Sequence, residues 1–368
     1  MNNIRHILLT VMMALMSSLS AWAVSTVDKL YLSPTTLTPG ETETQYVSLV
    51  ILGNRRYSAY NLDVTIPEGV ELAYDEGEED VYFDNNCIIP YSKGNPKHQL
   101  AATYTAEDRN LRISCVSTTN AEFTSESGVV CYIGLVVSTY AKPGALSINL
   151  SGQALTTADG TQYDPADATD TNIAIGTAAK ATLTVSAANK WSTCILPFAT
   201  ALPEGVKAYT CDSKDDDKQV FYLSDAASME AYTPYILYSE SGYTGTLTGD
   251  VNASQYPASG MVSVGYLTGA IEKQTTSEGY IMQNKGEGVK FYLADATKTY
   301  TIPAGKCWAT PPASTTQSYD FAFAPTALKG IAEVAELQNV TRYNLNGIMI
   351  DAPQEGQLYI QNGKKFVK

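Results

Sequence analysis

Histidine is nearly absent from this chain of 368 residues: there are two, His6 and His98. His6 lies in the first two dozen residues, which read as an export signal, so a mature chain keeps His98 alone. Ser-His-Asp or Cys-His catalysis, and any histidine-built metal site, would have to use that residue. It stands in the polar run Lys93-Gly-Asn-Pro-Lys-His98, whose composition reads as an exposed loop without a role. Charge is also scarce. Only 17% of residues are charged, and the formal net charge is −14, or −15 once Arg5 is removed with the export signal. The Lys/Arg clusters that nucleic acid and anionic lipid require are missing, and an acidic chain repels both. No segment holds a 3.6-residue apolar period, so long amphipathic helices are not expected. Beyond the export signal, no apolar run is long enough to span a bilayer as a helix.

What is present is tyrosine, threonine and serine, with 25 Tyr among them. Aromatic and β-branched residues suit strands. In residues 1–23, Arg5 and His6 form a positive start, Ile7 to Met16 an apolar centre, and Ala21-Trp22-Ala23 a small-x-small cleavage site. No Cys follows that site, so a lipoprotein anchor is not expected. The mature protein should be secreted or held at the cell surface.

Residues 24–178 read as a β-sandwich. Ala59–Ile66 alternates apolar Tyr60, Leu62, Val64 and Ile66 with Asn61, Asp63 and Thr65, the pattern of a strand with one wet face. Tyr46–Leu52 is apolar on both faces and should lie centrally in its sheet. Leu111–Cys115, Val129–Val137 and Leu146–Leu150 are further strands. Many short strands without helices imply two sheets packed face to face. Residues 179–325 read as a second all-β domain, with strands around Trp191, Tyr235, Tyr243, Tyr280, Phe291, Tyr300 and Trp308 separated by Gly-rich turns. Residues 326–368 read as a small β-module. Asn346-Gly347 and Asn362-Gly363 are tight-turn signals, so Thr341–Ile350 and Leu358–Val367 should be hairpins.

Three resemblances follow from these residues. Leu37-Thr-Pro39-Gly40-Glu41-Thr42, the strand Val47–Leu52, the run Tyr60 to Val70, the strand Gly128–Val137 and the turn Pro143-Gly144 together resemble the cohesin-like, immunoglobulin-like sandwiches of bacterial surface and polysaccharide-handling proteins. That family implies binding to dockerins or related protein partners, adhesion, or glycan binding. Tyr343 to Gly347, Gly356-Gln-Leu-Tyr359-Ile360 and Asn362 to Lys368 resemble the C-terminal domain of secreted Bacteroidetes proteins, in which many members use the tail as an address for the por (type IX) secretion system. By that resemblance Gly347, Gly356, Asn362, Gly363, Lys364 and Lys365 belong to the sorting motif, and export machinery is a partner. A tail that merely caps the preceding domain is the competing reading. The stretch between the sandwich and the tail resembles a β-module of such proteins that brings no activity with it.

Candidate sites are few. Sugars stack apolar faces on aromatic rings, and Trp191, Trp308, Tyr235, Tyr238 and Tyr243 are candidates for such a platform; core packing is the competing reading for each. Acidic loops occur at Glu76–Asp80, Asp164–Asp170 and Asp212–Asp217. None has the Asp-x-Asp-x-Asp-Gly spacing of a calcium loop, and Lys214 and Lys218 offset the last of them, so no cofactor is expected and calcium stays a secondary possibility. Export permits disulfides among Cys87, Cys115, Cys131, Cys194, Cys211 and Cys307. Their pairing is not legible; Cys115 and Cys131 fit core thiols, and Cys194 and Cys307 fit a shared core. The expectation is a non-catalytic binding protein at the bacterial surface, for a carbohydrate or a protein partner. A structural or adhesive component comes second, and a glycoside hydrolase built on two carboxylates third.

Overall fold

The computed structural model describes residues 28–73, 88–90, 97–312 and 315–323, and in the tail 342–344, 349–350, 358–361 and 364–367. The expected export signal at 1–23, the acid-rich segment 75–84, Cys87 and both Asn-Gly pairs of the tail lie outside the described residues. The protein is all-β. Among the described residues the helical content is one short 3-10 turn, Ala253–Gln255.

The first part is a two-sheet sandwich. Its strands are β1 (Lys29–Leu32), β2 (Thr35–Leu37), β3 (Gln45–Leu52), β4 (Ala59–Thr65), β5 (Val70–Leu72), β6 (Ile88–Pro90), β7 (His98–Thr105), β8 (Asn110–Ser117), β9 (Gly128–Val137), β10 (Gly144–Ala145), β11 (Ile148–Thr156), β12 (Gln162–Tyr163), β13 (Ala168–Asp170) and β14 (Ile173–Ile175). One sheet runs β1-β3-β9-β5, with β6 also on β9. The other runs β12-β11-β4-β8-β7, with β13 also on β11. A small sheet, β10-β14-β2, contains a parallel pair between β14 and β2. The expected alternation in β4 is present: Tyr60, Leu62 and Val64 are buried, while Asn61, Asp63 and Thr65 are not. Strand β3 is interior to its sheet, between β1 and β9, as its doubly apolar sequence implies. The facing sides bury one continuous core, including Leu49, Leu62, Val64, Leu111, Ile113, Ile133 and Leu155. Burying that apolar area is the main stabilising term. Strand Leu146–Leu150 starts later than the sequence suggests. Leu146 precedes it, its N–H donating to the Ile173 carbonyl, and the ladder begins at Ile148.

A buried carboxylate fixes the sandwich's first strand. Asp170, 7% exposed, accepts the N–H of Leu32 at 2.7 Å and that of Asn172 at 2.8 Å. Gln153 does the same for the N–H of Leu30 at 3.0 Å. Buried polar groups of this kind are stable only when their partners are present.

The second part begins with β15 (Ala178–Val185). It continues through β16 (Trp191–Cys194), β17 (Thr200–Ala201), β18 (Lys207–Asp215), β19 (Val220–Ala226), β20 (Ser228–Met229), β21 (Tyr235–Tyr238), β22 (Tyr243–Asp250), β23 (Met261–Val264), β24 (Leu267–Ala270), β25 (Gln274–Thr276), β26 (Tyr280–Asn284), β27 (Val289–Leu293), β28 (Tyr300–Ile302), β29 (Cys307–Ala309) and β30 (Ser318–Phe323). A ten-stranded sheet runs β16-β21-β18-β19-β30-β27-β26-β29-β24-β23. Twist curls so long a sheet until its ends approach. Here β16 returns to β29: the Thr193 hydroxyl donates to the Cys307 carbonyl at 3.1 Å and accepts the Cys307 N–H at 3.0 Å. Tyr209, Phe221, Ile236, Tyr280, Phe291 and Tyr319 fill one face of the curl, with Phe221 stacked on Tyr319 at 4.1 Å. The other face packs a second core against the ribbon of β15 and β22; Leu183, Ile195, Phe198, Leu237 and Leu247 belong to it.

The two parts meet at a tight seam. The Tyr140 hydroxyl, from the sandwich, donates to the Ile195 carbonyl at 2.8 Å, and Tyr256 donates to the Tyr140 carbonyl at 2.8 Å. Gly40 has φ +71°, and a Cβ there would sit 1.8 Å from the Lys180 carbonyl oxygen, so only glycine allows this approach.

In the tail, β31 (Arg342–Asn344) pairs with β32 (Met349–Ile350), and β33 (Leu358–Gln361) with β34 (Lys364–Val367). Both pairings are those of the expected hairpins. They also join, β31 to β33, into one four-stranded antiparallel sheet. Lys364 and Lys365 lie in β34, opposite Gln361 and Ile360; Gly347, Gly356, Asn362 and Gly363 lie outside the described residues.

Candidate functional site

Two surfaces stand out. The first is the outer face of the sheet β11-β4-β8-β7. Antiparallel strands with one buried face send alternate residues outward. Here those residues are Asn61 and Asp63 on β4, Arg112, Ser114 and Val116 on β8, and Gln99, Ala101 and Thr103 on β7, with cross-strand neighbours set by the register. They are short and mostly uncharged, so the face is flat. Val116 is 48% exposed, one of the few large apolar side chains left in water. On this face Asp63 pairs with Arg112 in a fork in which Nε and Nη2 each reach a carboxylate oxygen at 2.8 Å. The guanidinium hydrogen bond holds the Asp63 carboxyl below the ordinary carboxylate range. Strand β7, which ends the strand order, carries the sequence HQLAATYT, without Pro, Asp, Glu, Lys or Arg to discourage pairing. Alternation makes β4's wet face legible in the sequence. The flat composite of three strands is not, because it depends on register.

The second surface is a cleft of about 270 Å³ beside β16 and β26, with Trp191 and Met282 on its wall and Asn189, Gln283, Asn284 and Lys306 around it. Trp191 is half-buried and packs on Tyr238 at 4.8 Å and Phe321 at 4.5 Å between ring centres. Trp191 and Tyr238 are direct cross-strand partners, so the structure brings these two sequence candidates together. The Tyr238 hydroxyl donates to Glu240, which also pairs with Lys190.

The other aromatic candidates lie elsewhere. Trp308 is 5% exposed and packs with Ala270 and Ile302 as core. Tyr235 is 3% exposed in the core on the opposite face of β21, its hydroxyl oxygen accepting the Glu230 N–H. Tyr243 packs part-buried on the β15–β22 ribbon. Trp308 and Tyr235 are packed in the interior, on strands that are buried on both faces. Phe321 is not singled out by the sequence, since nothing in a Phe within β30 signals that Trp191 lies against it.

His98 corrects an expectation. It does not sit in an exposed loop but opens β7, half-buried, with its ring stacked on Phe123 at 4.4 Å. Burial lowers its pKa, and neither ring nitrogen makes a well-formed hydrogen bond. The acidic loops are also accounted for where they are described. Asp216 pairs with Lys214 and Asp215 with Lys218. Asp167 accepts the Gly152 N–H at 3.0 Å and Asp164 accepts from Gln162, so neither joins Asp170 around a common point. Among the described residues no group of three or more His, Cys, Asp or Glu is placed to hold a metal ion. Cys115, Cys131, Cys194, Cys211 and Cys307 are buried free thiols, and Cys194 and Cys307 share one core, as the sequence suggests. Among the described residues no helix is long and apolar enough to cross a membrane.

No protein-family model matches the chain, and neither does any curated protein. Solved structures similar to it are cohesin modules, which are β-sandwiches. One belongs to a type I cohesin–dockerin complex from Clostridium thermocellum, at 9% identity, covering 42% of this chain and 97% of that one with a TM-score of 0.32. A non-cellulosomal cohesin from Archaeoglobus fulgidus matches at 15% identity, covering 40% and 91% with a TM-score of 0.28. A cohesin module of a family 33 glycoside hydrolase from Clostridium perfringens matches at 15% identity, covering 41% and 98% with a TM-score of 0.30. Each likeness concerns a β-sandwich fold over about two fifths of this chain.

Proposed function

We propose that the protein is an exported, non-catalytic binding protein of the bacterial surface, and that the outer face of β4, β8 and β7 binds a folded protein partner. The observation that carries this reading is the face itself: short-chained and nearly uncharged, with Val116 exposed toward one end of β8 and the Asp63–Arg112 fork toward the other. An exposed apolar side chain on a face poor in charge fits the composition of a protein-binding patch, from whose core charged residues are depleted. The export reading rests on the pattern of residues 1–23, and delivery or attachment through 326–368 rests on the resemblance of the tail; both belong to the proposal.

The test uses the chain from residue 24 onward, wild type and Val116→Glu, against purified dockerin modules and against proteins isolated from the cell envelope, with affinities measured on each purified partner. A partner whose affinity falls by about tenfold or more with the buried charge supports the face. Partners that bind both forms equally would place the interface elsewhere. Release of the tail from exported protein, or its retention at the surface, is read by mass spectrometry of secreted and envelope fractions.

A further inference from the structure

We infer that the Trp191 cleft is a second binding site, independent of the sheet face, and that it takes an acidic saccharide, a sugar ring bearing a carboxylate. The cleft combines three features that such a ring requires. Its wall is an indole braced by two other rings packed on it at a tilt, which presents an apolar surface for the C–H face of a sugar. Around it stand side-chain amides, which both donate and accept as a sugar's hydroxyls do. Asn284 donates to Asn189 at 3.0 Å and accepts the Gly286 N–H at 3.0 Å, so its orientation is set before any ligand arrives. Gln283, one residue earlier on β26, also lines the cleft. A pocket of about 270 Å³ is near the small end of ligand sites, which span roughly 300–1,000 Å³, and it suits a ring rather than a long chain.

The charge of the ligand follows from Lys306. Its ammonium donates to the Ser192 hydroxyl at 3.1 Å and to the Thr193 carbonyl at 3.3 Å. Those bonds use two of three donors, and both acceptors are neutral. No carboxylate is within ion-pair distance among the described residues, although the chain has 38 acids for 24 bases. No Asp or Glu lines the cleft. A lysine held in place, with a spare donor and no counter-charge, favours an anion over a neutral ring. Phosphate or sulfate alone would satisfy Lys306 but would leave the indole wall and the amides unused.

The test is titration of the chain from residue 24 onward with tetragalacturonate, tetramannuronate and, as the neutral control, cellotetraose, followed by calorimetry and tryptophan fluorescence. Of the three tryptophans, Trp22 precedes the residue 24 start and Trp308 is buried, so an emission change reports Trp191. The expected result is saturable binding of an acidic tetrasaccharide with a shift in emission. Trp191→Ala should weaken it by more than about thirtyfold, and Lys306→Gln by about tenfold. Val116→Glu should leave it unchanged, which separates this site from the sheet face. If Trp191→Ala does not fold, Gln283→Ala and Asn284→Ala, respectively half-buried and exposed on the cleft's lining, should each weaken binding severalfold. Absence of binding to either acidic probe at about 1 mM overturns the proposal. Equal affinity for cellotetraose with no effect of Lys306→Gln overturns the acidic assignment, and inorganic phosphate competing as well as the sugar would reduce the cleft to an anion site.

Discussion

The Tyr140 hydroxyl donates to the main-chain carbonyl of Ile195, 2.8 Å away and 55 positions along the chain, and so ties the sandwich to the second β-part. Burial pushes that phenol's pKa far up, with the thiols of Cys194 and Cys307 beside it. Tyr140→Phe should therefore cost about 1–2 kcal/mol in chemical denaturation, since it leaves a part-buried carbonyl without its donor. Gly305→Ala should cost more. Its φ is +83°, and a Cβ would lie 2.3 Å from the Tyr140 oxygen, so the seam itself must open.

Asp170 supplies the second prediction. Asp170→Ala strands the Leu32 and Asn172 N–H groups, and should destabilise by about 3 kcal/mol; Asp170→Asn keeps one acceptor oxygen and should lose less. Thermal or urea unfolding of the two variants checks the order.

The His98 imidazole gives a pH dependence with a definite sign. Burial lowers its folded pKa below the unfolded value of about 6.5. The unfolded chain thus takes up the proton first as pH falls. Stability is full above the unfolded pKa, declines as pH drops toward the folded pKa, and levels off below it. His98→Phe, which can keep a ring against Phe123, should flatten that part of the profile, and the ring's proton resonances should titrate below pH 6.5 in the wild type.

The opposite sign applies at Asp63. Its folded pKa is lowered by Arg112, so the fork's contribution is present above the ordinary carboxylate pKa and is lost as pH falls through the folded value. Arg112→Gln should raise the Asp63 pKa toward the ordinary range, measured by carboxyl carbon NMR. The fork is exposed on the Arg112 side, so the change in global stability should be small.

Thiol chemistry provides the last prediction. Burial raises Cys115 to about 11 and Cys131, Cys194 and Cys211 to about 12, with Cys307 raised as well. Thiolate is the reactive form. In the native protein at pH 8 these five should resist a thiol reagent, and all should react after denaturation, with the modified peptides identified by mass spectrometry.

Much of the fold is legible because strand alternation is a local property. Tyr60, Leu62 and Val64 declare their buried face in sequence, and the spacing around Asn346-Gly347 and Asn362-Gly363 marks the tail strands that pair in the structure. The candidate site was half legible. Trp191 and Tyr238 are recognisable as aromatic candidates, but Trp308, with similar neighbours, is core. Which way a ring points depends on the strand's register in a sheet whose partners come from far along the chain, and no short window contains that register.

The sequence by itself determined the class: an acidic, strand-rich chain with a sandwich pattern and a tail of paired strands. Those features follow from local preferences and composition. Only the tertiary structure decided that the tail strands join into one sheet, that His98 stacks on Phe123, and that Lys306 stands beside the half-buried Trp191 indole with no carboxylate in ion-pair distance among the described residues. Each depends on packing between segments remote in sequence, where burial and partner geometry outweigh local preference.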